Sequence, residues 1–344
     1  ARAIGPELCE RLSLRADVIA SALARDLGLV AWDREQLIGH IQDRVSLACQ
    51  RKPAMANDVA AICIRELTLQ PLECIEPTFV ALCSGQRVHV DLEVGACEGA
   101  LDLLEEIIPV LGEGVVSLAG RVGQHSLEAV TTWPVRGVVV ARPRVAVVHA
   151  DADPELAAYI LAHACLRRNG LEPRAVHRAF VVGPNLALER HLERIWLGAE
   201  LGPPDDEDVF AGPISAERAD AVVSAQQAWS QCEHVHVVCA GGRVERAGDP
   251  SSYVGPMLLT CDSPEDPLHL DTTLTLLGPS LLVYHVQPQA LQHVLTRAMS
   301  HETDCIEIGE RPRGLVFVAG EVRTVRGALL VERIPAGLPQ PQPV

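Results

Sequence analysis

Two histidines and two cysteines crowd the run Cys232-Glu-His-Val-His-Val-Val-Cys239. Cysteine and histidine are the usual zinc ligands, and His234 and His236, two apart, would share one face of a strand. Cys232 and Cys239 stand an odd number of positions apart and face opposite ways in a regular strand. The run therefore reads as strand rather than as a metal centre, and no metal is expected. His149-Ala-Asp151-Ala-Asp153 sets three titratable groups between a strand pattern and a helix pattern. Asp153 followed by Pro154 has the form of an N-cap with proline at the first helical position. Cys165 is the one candidate nucleophile. Its Ala- and Leu-rich neighbours place it in a helix core, away from the base or helix N-terminus that would lower a thiol pKa. Lys52 is the only lysine, so a Schiff base or a lysine phosphate clamp has a single provider. Gly112-x-Gly114 and Gly120-x-x-Gly123 flank a strand pattern, but neither makes the G-x-G-x-x-G turn of a dinucleotide site.

Periodicity supplies the elements that must hold these groups. Leu8, Leu12, Ile19, Leu23 and Leu27 recur at helical spacing, and Gly28 is a stop signal. A second helix is expected over 33–51. Thereafter strands are expected at 60–64, 87–92, 115–118, 145–149, 179–182, 234–238 and 281–285. Helices are expected at 78–83, 99–107, 154–168, 186–197, 216–230 and from Leu291 to Ala298. This alternation predicts an α/β fold with parallel strands. The acids Asp205, Asp206, Glu207 and Asp208 read as a solvated loop. Two closing strands are expected at 315–319 and 328–332, then a proline-rich tail.

The 344 residues carry 29 Lys plus Arg against 45 Asp plus Glu, a net charge of −16, which argues against nucleic-acid binding. Hydrophobic residues make up 48%, enough for a substantial core, whereas 3% aromatics leave little for a base-stacking platform. No apolar run reaches the roughly 20 residues of a membrane span. Residues 1–10 lack a signal-peptide pattern, and the chain starts without Met. Eleven cysteines without a C-x-x-C pair suggest buried thiols in a reducing compartment, so a cytoplasmic protein is expected.

Several segments, taken in order, resemble the aldehyde dehydrogenase superfamily. They are Ala81-Leu-Cys-Ser-Gly85, Ala150-Asp151-Ala152-Asp153 after a strand, and Leu201-Gly-Pro-Pro-Asp through Ala211-Gly-Pro-Ile-Ser215. Gly241-Gly242, Tyr253-Val-Gly-Pro-Met-Leu-Leu-Thr260 and Leu277-Gly278-Pro279 follow in the family's order. The resemblance covers about 60–286. It implies a Rossmann-type cofactor lobe over 1–141, a catalytic-type α/β lobe over 142–311, and C-terminal oligomerisation strands with a tail over 312–344.

The same resemblance exposes departures. The family's nucleophilic cysteine falls at Pro173 or Arg174, its general-base glutamate at Val139, and its oxyanion-holding asparagine at Thr68. Its cofactor-binding lysine falls at Asp91, and the Glu and Phe of its E-I-F-G-P motif at Thr275 and Leu277. Proline and arginine cannot form a thiohemiacetal, and valine cannot take a proton. Asp91 where a cofactor ribose or phosphate would sit adds like-charge repulsion. These losses imply a non-catalytic pseudoenzyme that binds no cofactor and serves a structural, assembly or partner-binding role. It would be a homo-oligomer, or a partner of an aldehyde dehydrogenase subunit, or the silent second repeat of a two-repeat enzyme. The alternative is an NAD(P)-dependent aldehyde dehydrogenase whose active site is displaced, with Cys165 as nucleophile and NAD as cofactor.

Overall fold

The computed structural model describes residues 4–50, 61–66, 71–92, 102, 104–105, 109, 115–119, 135–139, 144–172, 174–261, 276–298, 304–309 and 322–325. The chain divides into two units, Ala1–Ala141 and Arg142–Val344.

The first unit opens with helices α1 (Gly5–Leu14), α2 (Ala16–Leu27) and α3 (Ala31–Gln50). The single helix expected over 8–27 is two. Arg15 leaves helical geometry at φ −101° and ψ 1°, although hydrogen bonds from Arg15 N to Arg11 O and from Ile19 N to Arg15 O bridge the bend. The bend turns a second stripe, Ile19, Ala22 and Leu23, onto the core that Leu8 and Leu12 already face, and leaves Leu14 and Val18 exposed. Helix α2 stops at Gly28, whose φ of 66° is the left-handed conformation that glycine adopts without strain.

Strands β1 (Ala61–Glu66), β2 (Arg87–Leu92), β3 (Val116–Ala119) and β4 (Val135–Val139) form a parallel sheet in the order β3-β2-β1-β4. Helix α4 (Ile75–Cys83) joins β1 to β2. Parallel strands covered by helices bury apolar side chains, and Val88, Val90, Phe79, Leu37 and Ile41 share one core with α1 and α2. The helix expected over 99–107 falls mainly outside the described residues.

The second unit is built on a seven-stranded sheet in the order β11-β10-β5-β6-β9-β8-β7. Its strands are β5 (Arg144–Val148), β6 (Val176–Val182), β7 (Val235–Arg246), β8 (Asp249–Cys261), β9 (Ser280–Val286), β10 (Asp304–Ile308) and β11 (Val322–Val325). All pairs are parallel except the β7–β8 hairpin. Strand β7 passes through Gly241 and Gly242 rather than ending there, because two register irregularities let it stay paired with β8 as far as Arg246. Helices α5 (Pro154–Leu166), α6 (Leu186–Leu197), α7 (Ala216–Ser230) and α8 (Leu291–Ala298) cover this sheet.

Asp153 caps α5 by accepting a 2.8 Å hydrogen bond from Leu156 N, with Pro154 in the first turn, as the sequence indicates. Arg194 of α6 ties the two helices together through Glu155 (2.8 Å) and Tyr159 (3.3 Å). The closing strands expected at 315–319 and 328–332 lie outside the described residues, as does the tail. The described closing strand is β11.

Candidate functional site

The residues able to do chemistry gather where β6 and β9 begin. Helix α5 ends at Leu166, and the chain makes a tight turn, Arg167–Gly170, in which Arg168, Asn169 and Gly170 all have positive φ (52°, 56° and 61°). Side chains disfavour that conformation, so something must hold it. One constraint is close contact. A Cβ on Gly170 would sit 2.1 Å from the Gly278 carbonyl oxygen and 2.8 Å from that of Cys165. The turn therefore rests on the segment Leu277-Gly278-Pro279.

The other constraint is charge. Glu172 is buried, and Arg167 grips its Oε2 with Nε at 3.0 Å and with Nη2, while Arg168 Nη1 lies 3.9 Å away. Burial pushes the Glu172 pKa up. Arg167, Arg168 and Arg144 outweigh it, and the carboxyl is held well below the usual range. Arg168 is itself buried in this cluster.

A second network fixes the surrounding segments. Gln226 of α7, also buried, donates to Gly255 O (3.1 Å) and to Ser280 Oγ (3.2 Å), and its Oε1 accepts from Gly242 N (2.7 Å). Ser280 Oγ donates to Leu277 O. His177 Nδ1 donates to Ser280 O at 3.0 Å, and burial lowers its pKa, so the ring is neutral. Gln226 thus links the paired glycines, the hairpin and the 277–280 turn. Periodicity placed Gln226 on a helix face and gave it no role. A polar residue at a core position of an otherwise apolar helix face was the available signal for Gln226.

The sequence-derived positions scatter over this frame. Arg174 lies in the loop after the ion cluster, part-buried, and Leu277 is 38% exposed in the facing turn. Val139 ends β4 opposite Ile64, and Asp91 sits near the carboxyl end of β2 opposite Arg65. Thr68, Pro173 and Thr275 lie outside the described residues.

Cys165 is the next-to-last residue of α5, not mid-helix. It is fully buried, and that burial drives its thiol pKa far up. Burial that disfavours the thiolate counts against Cys165 as a nucleophile. His234 and His236 do not share a strand face: His234 precedes β7 with φ 66°, and only His236 belongs to the strand. Among the described residues no three His, Cys, Asp or Glu side chains are grouped to hold a metal. Among them, too, no helix is long and apolar enough to cross a membrane.

No family model matches the sequence, and no curated protein matches it. The fold has solved counterparts. Methylmalonate-semialdehyde dehydrogenase DddC from Oceanimonas doudoroffii matches at TM-score 0.71 and 16% identity, over 90% of this chain and 72% of that one. A Thermus 1-pyrroline-5-carboxylate dehydrogenase with bound NAD matches at 0.68 and 17%, over 98% and 75%. The glyceraldehyde-3-phosphate dehydrogenase GapN of Methanocaldococcus jannaschii, complexed with NADP, matches at 0.69 and 16%, over 93% and 79%. The fold is the aldehyde-dehydrogenase-like α/β fold anticipated from the motifs. The expectation that no cofactor goes with it is overturned: solved counterparts carry NAD or NADP, and the match to them spans nearly the whole chain.

Proposed function

We propose that the chain is a nicotinamide-dinucleotide-dependent oxidoreductase of the aldehyde dehydrogenase type, taking NAD in preference to NADP. The observation that carries this reading is the fold match over 90–98% of the chain, including counterparts holding the dinucleotide. The residues present fit such a ligand. In parallel α/β sheets, ligands bind beyond the carboxyl ends of the strands, and an acid there accepts the hydroxyls of an adenosine ribose. Asp91 is an acid near the carboxyl end of β2, half-buried beside the buried Leu92. Its charge, which counts against a phosphate, suits a ribose diol and disfavours the 2′-phosphate of NADP. When bound, the dinucleotide supplies the hydride acceptor.

In the second unit, the Arg167–Glu172–Arg168 cluster and Gln226 tie down the 167–172 and 277–280 segments, as a substrate-positioning loop requires. A second reading has one specific observation in its favour. Cys165, just ahead of this loop, is buried with its thiol pKa pushed far up, and Pro173 or Arg174 stands where the resemblance puts the reacting sulfur. On that reading the chain binds the dinucleotide without oxidising aldehydes and has a structural or assembly role. Self-association through the C-terminal segment is compatible with both.

Two measurements on the purified chain separate these readings: calorimetric titration with NAD and NADP, and NADH formation with a panel of aliphatic and carboxylate-bearing aldehydes. Binding of NAD, weakened by Asp91→Lys, together with aldehyde-dependent NADH formation, is the expected outcome. Binding without turnover favours the second reading. Absence of NAD binding overturns the proposal.

A further inference from the structure

Helices α1 and α3 of the first unit pack against each other, and contacts along their facing sides fix the register. Gln42 Nε2 donates to Ser13 Oγ at 2.7 Å and to Cys9 O at 3.3 Å. One turn further along α3, Ser46 Oγ lies 3.9 Å from Cys9 Sγ. Another turn on, the Cys49 sulfur occupies the place beside Gly5 that a side chain there would need. Gln42, Ser46 and Cys49 are four and three positions apart and share one face of α3, as Ser13, Cys9 and Gly5 share one face of α1. The two faces run antiparallel, and the glycine leaves the space that the Cys49 sulfur fills.

This register brings two thiols together. Cys9 and Gly5 are one helical turn apart, which sets their β positions about 5–6 Å from each other. Helical side chains lean toward the N-terminus, so the Cys9 sulfur leans toward Gly5, where the Cys49 sulfur already sits. A disulfide needs β carbons about 3.5–4.5 Å apart, a distance that a small shift at Cys49, the next-to-last residue of α3, can supply. Burial raises the Cys9 thiol above its ordinary range; Ser46 opposes the rise, and Cys49 and Asp43 are close enough to add to it. Cys9 and Cys49 are both only half-buried, so a small oxidant can reach them, whereas Cys74, Cys165, Cys239, Cys261 and Cys305 are buried.

We propose that Cys9 and Cys49 form a reversible redox site, closing to a disulfide between α1 and α3 with a small disulfide of the glutathione type as oxidant. The Cys49 thiolate attacks one sulfur of the oxidant, whose S–S bond breaks, and one glutathione thiolate leaves. The Cys9 thiolate then attacks the Cys49 sulfur of the mixed disulfide, the bond between the two cysteines forms, and the second glutathione leaves. The two protons given up by the cysteines pass to the two departing thiolates, so two cysteines are oxidised and one glutathione disulfide is reduced. The raised Cys9 thiol makes closure slow near neutral pH. Once closed, the bond fastens α1 to the end of α3 and restricts the unfolded chain. Where glutathione is kept reduced, both residues stay thiols and the bond is transient.

The test is non-reducing peptide mapping by mass spectrometry on the full, folded chain after incubation with excess glutathione disulfide, with a thermal melt of the same sample. The expected result is a peptide pair joined through Cys9 and Cys49 and a melting temperature raised by about 3 °C or more, both reversed by dithiothreitol. Cys9→Ser should stop at one glutathione on Cys49, and neither it nor Cys49→Ser should gain stability on oxidation. In dithiothreitol both variants should melt within about 2 °C of the parent. If a serine variant melts lower, Cys9→Ala and Cys49→Ala replace it in the same comparison. The proposal is overturned if the oxidised parent yields no Cys9–Cys49 peptide, if the two residues carry only separate glutathione adducts, or if either variant keeps the oxidation-dependent rise. These readouts involve neither a dinucleotide nor an aldehyde, so they stand apart from the proposed activity.

Discussion

The two ends of the seven-stranded sheet each bury a glutamate, and the two are driven in opposite directions. At the amino ends of the strands, Glu172 meets three arginines and is held below the usual carboxylate range. At the carboxyl ends, Glu307 of β10 meets, among the described residues, only His149, whose Nε2 is 3.5 Å from the Glu307 Oε2, and burial pushes the Glu307 pKa up. Both side chains are almost wholly removed from solvent. Burial therefore does not decide the sign; the number of permanent cations within reach does. Arginine stays charged at any accessible pH, whereas histidine loses its charge near neutrality. The first end is a fixed ionic clamp on a strained turn. The second is a buried carboxyl beside a single imidazole.

The largest effect should come from unclamping. Glu172→Gln keeps the shape and leaves Arg144, Arg167 and Arg168 facing one another without their shared anion. A loss of about 3–5 kcal/mol in urea unfolding is expected, as for other buried pairs deprived of one partner. A loss below about 1 kcal/mol would show that the arginines reach solvent readily and that the clamp is weak.

The next effect separates the backbones of the two ends. Gly170→Ala forces a Cβ against the Gly278 carbonyl at positive φ and should cost about 1–3 kcal/mol. Gly309→Ala, at the other end, meets the exposed tip of Asp151 (Oδ1 at 2.8 Å), which can move aside, and the His149 Cβ at 3.0 Å, which need give only slightly. It should cost less than about 1 kcal/mol. Equal losses at both sites would erase the distinction between a strained end and a relaxed one.

The smallest effects are the pH slopes. The stability due to Glu172 is present above the ordinary carboxylate pKa of about 4.3 and is lost as pH falls toward its depressed folded value. That due to Glu307 is present below about 4.3 and is lost as pH rises through its elevated folded value. Urea midpoints of the parent, Glu172→Gln and Glu307→Gln, followed from about pH 3 to about pH 7, should show mirrored differences. The parent's advantage over Glu172→Gln shrinks in acid, and its advantage over Glu307→Gln grows there. At neutral pH, Glu307→Gln should shift stability by no more than about 1 kcal/mol.

What could be read from the sequence was local. The Asp153 cap, the Gly28 stop and the alternation of strand and helix each depend on residues a few positions apart. Motif order carried the reading further, to a fold that the solved counterparts share. What was missed depends on distance along the chain. Arg144 reaches Glu172 from another strand, His149 meets Glu307 from the far end of the unit, and Gln226 joins three separate segments. The bend at Arg15 has no glycine or proline to announce it. His234 looked like a strand residue because Val235, Val237 and Val238 follow it, yet its backbone turns left-handed just before the strand starts. For the site, the resemblance gave only expected positions, and nothing local to them could show that Glu172 is clamped by arginines. The cofactor inference failed for a related reason. Asp91 was judged as a repulsive charge at a cofactor ribose or phosphate, although a carboxylate can accept hydrogen bonds from the hydroxyls of a ribose.

The register of the large sheet also sets a timetable. Strand β5 pairs on one side with β6 and on the other with β10, and Arg144 meets Asp304 roughly 160 residues further along the chain. At ribosomal speeds of about 5–20 residues per second, that partner emerges roughly 8–30 s after β5. The β7–β8 hairpin, whose partners are neighbours in sequence, closes within microseconds of appearing. During synthesis, then, the interior of the sheet stands for many seconds as an open edge, apolar and unpaired, while its outermost hairpin is already complete. The nascent chain is most vulnerable to mispairing along β5, and binding of a chaperone would matter most in that interval.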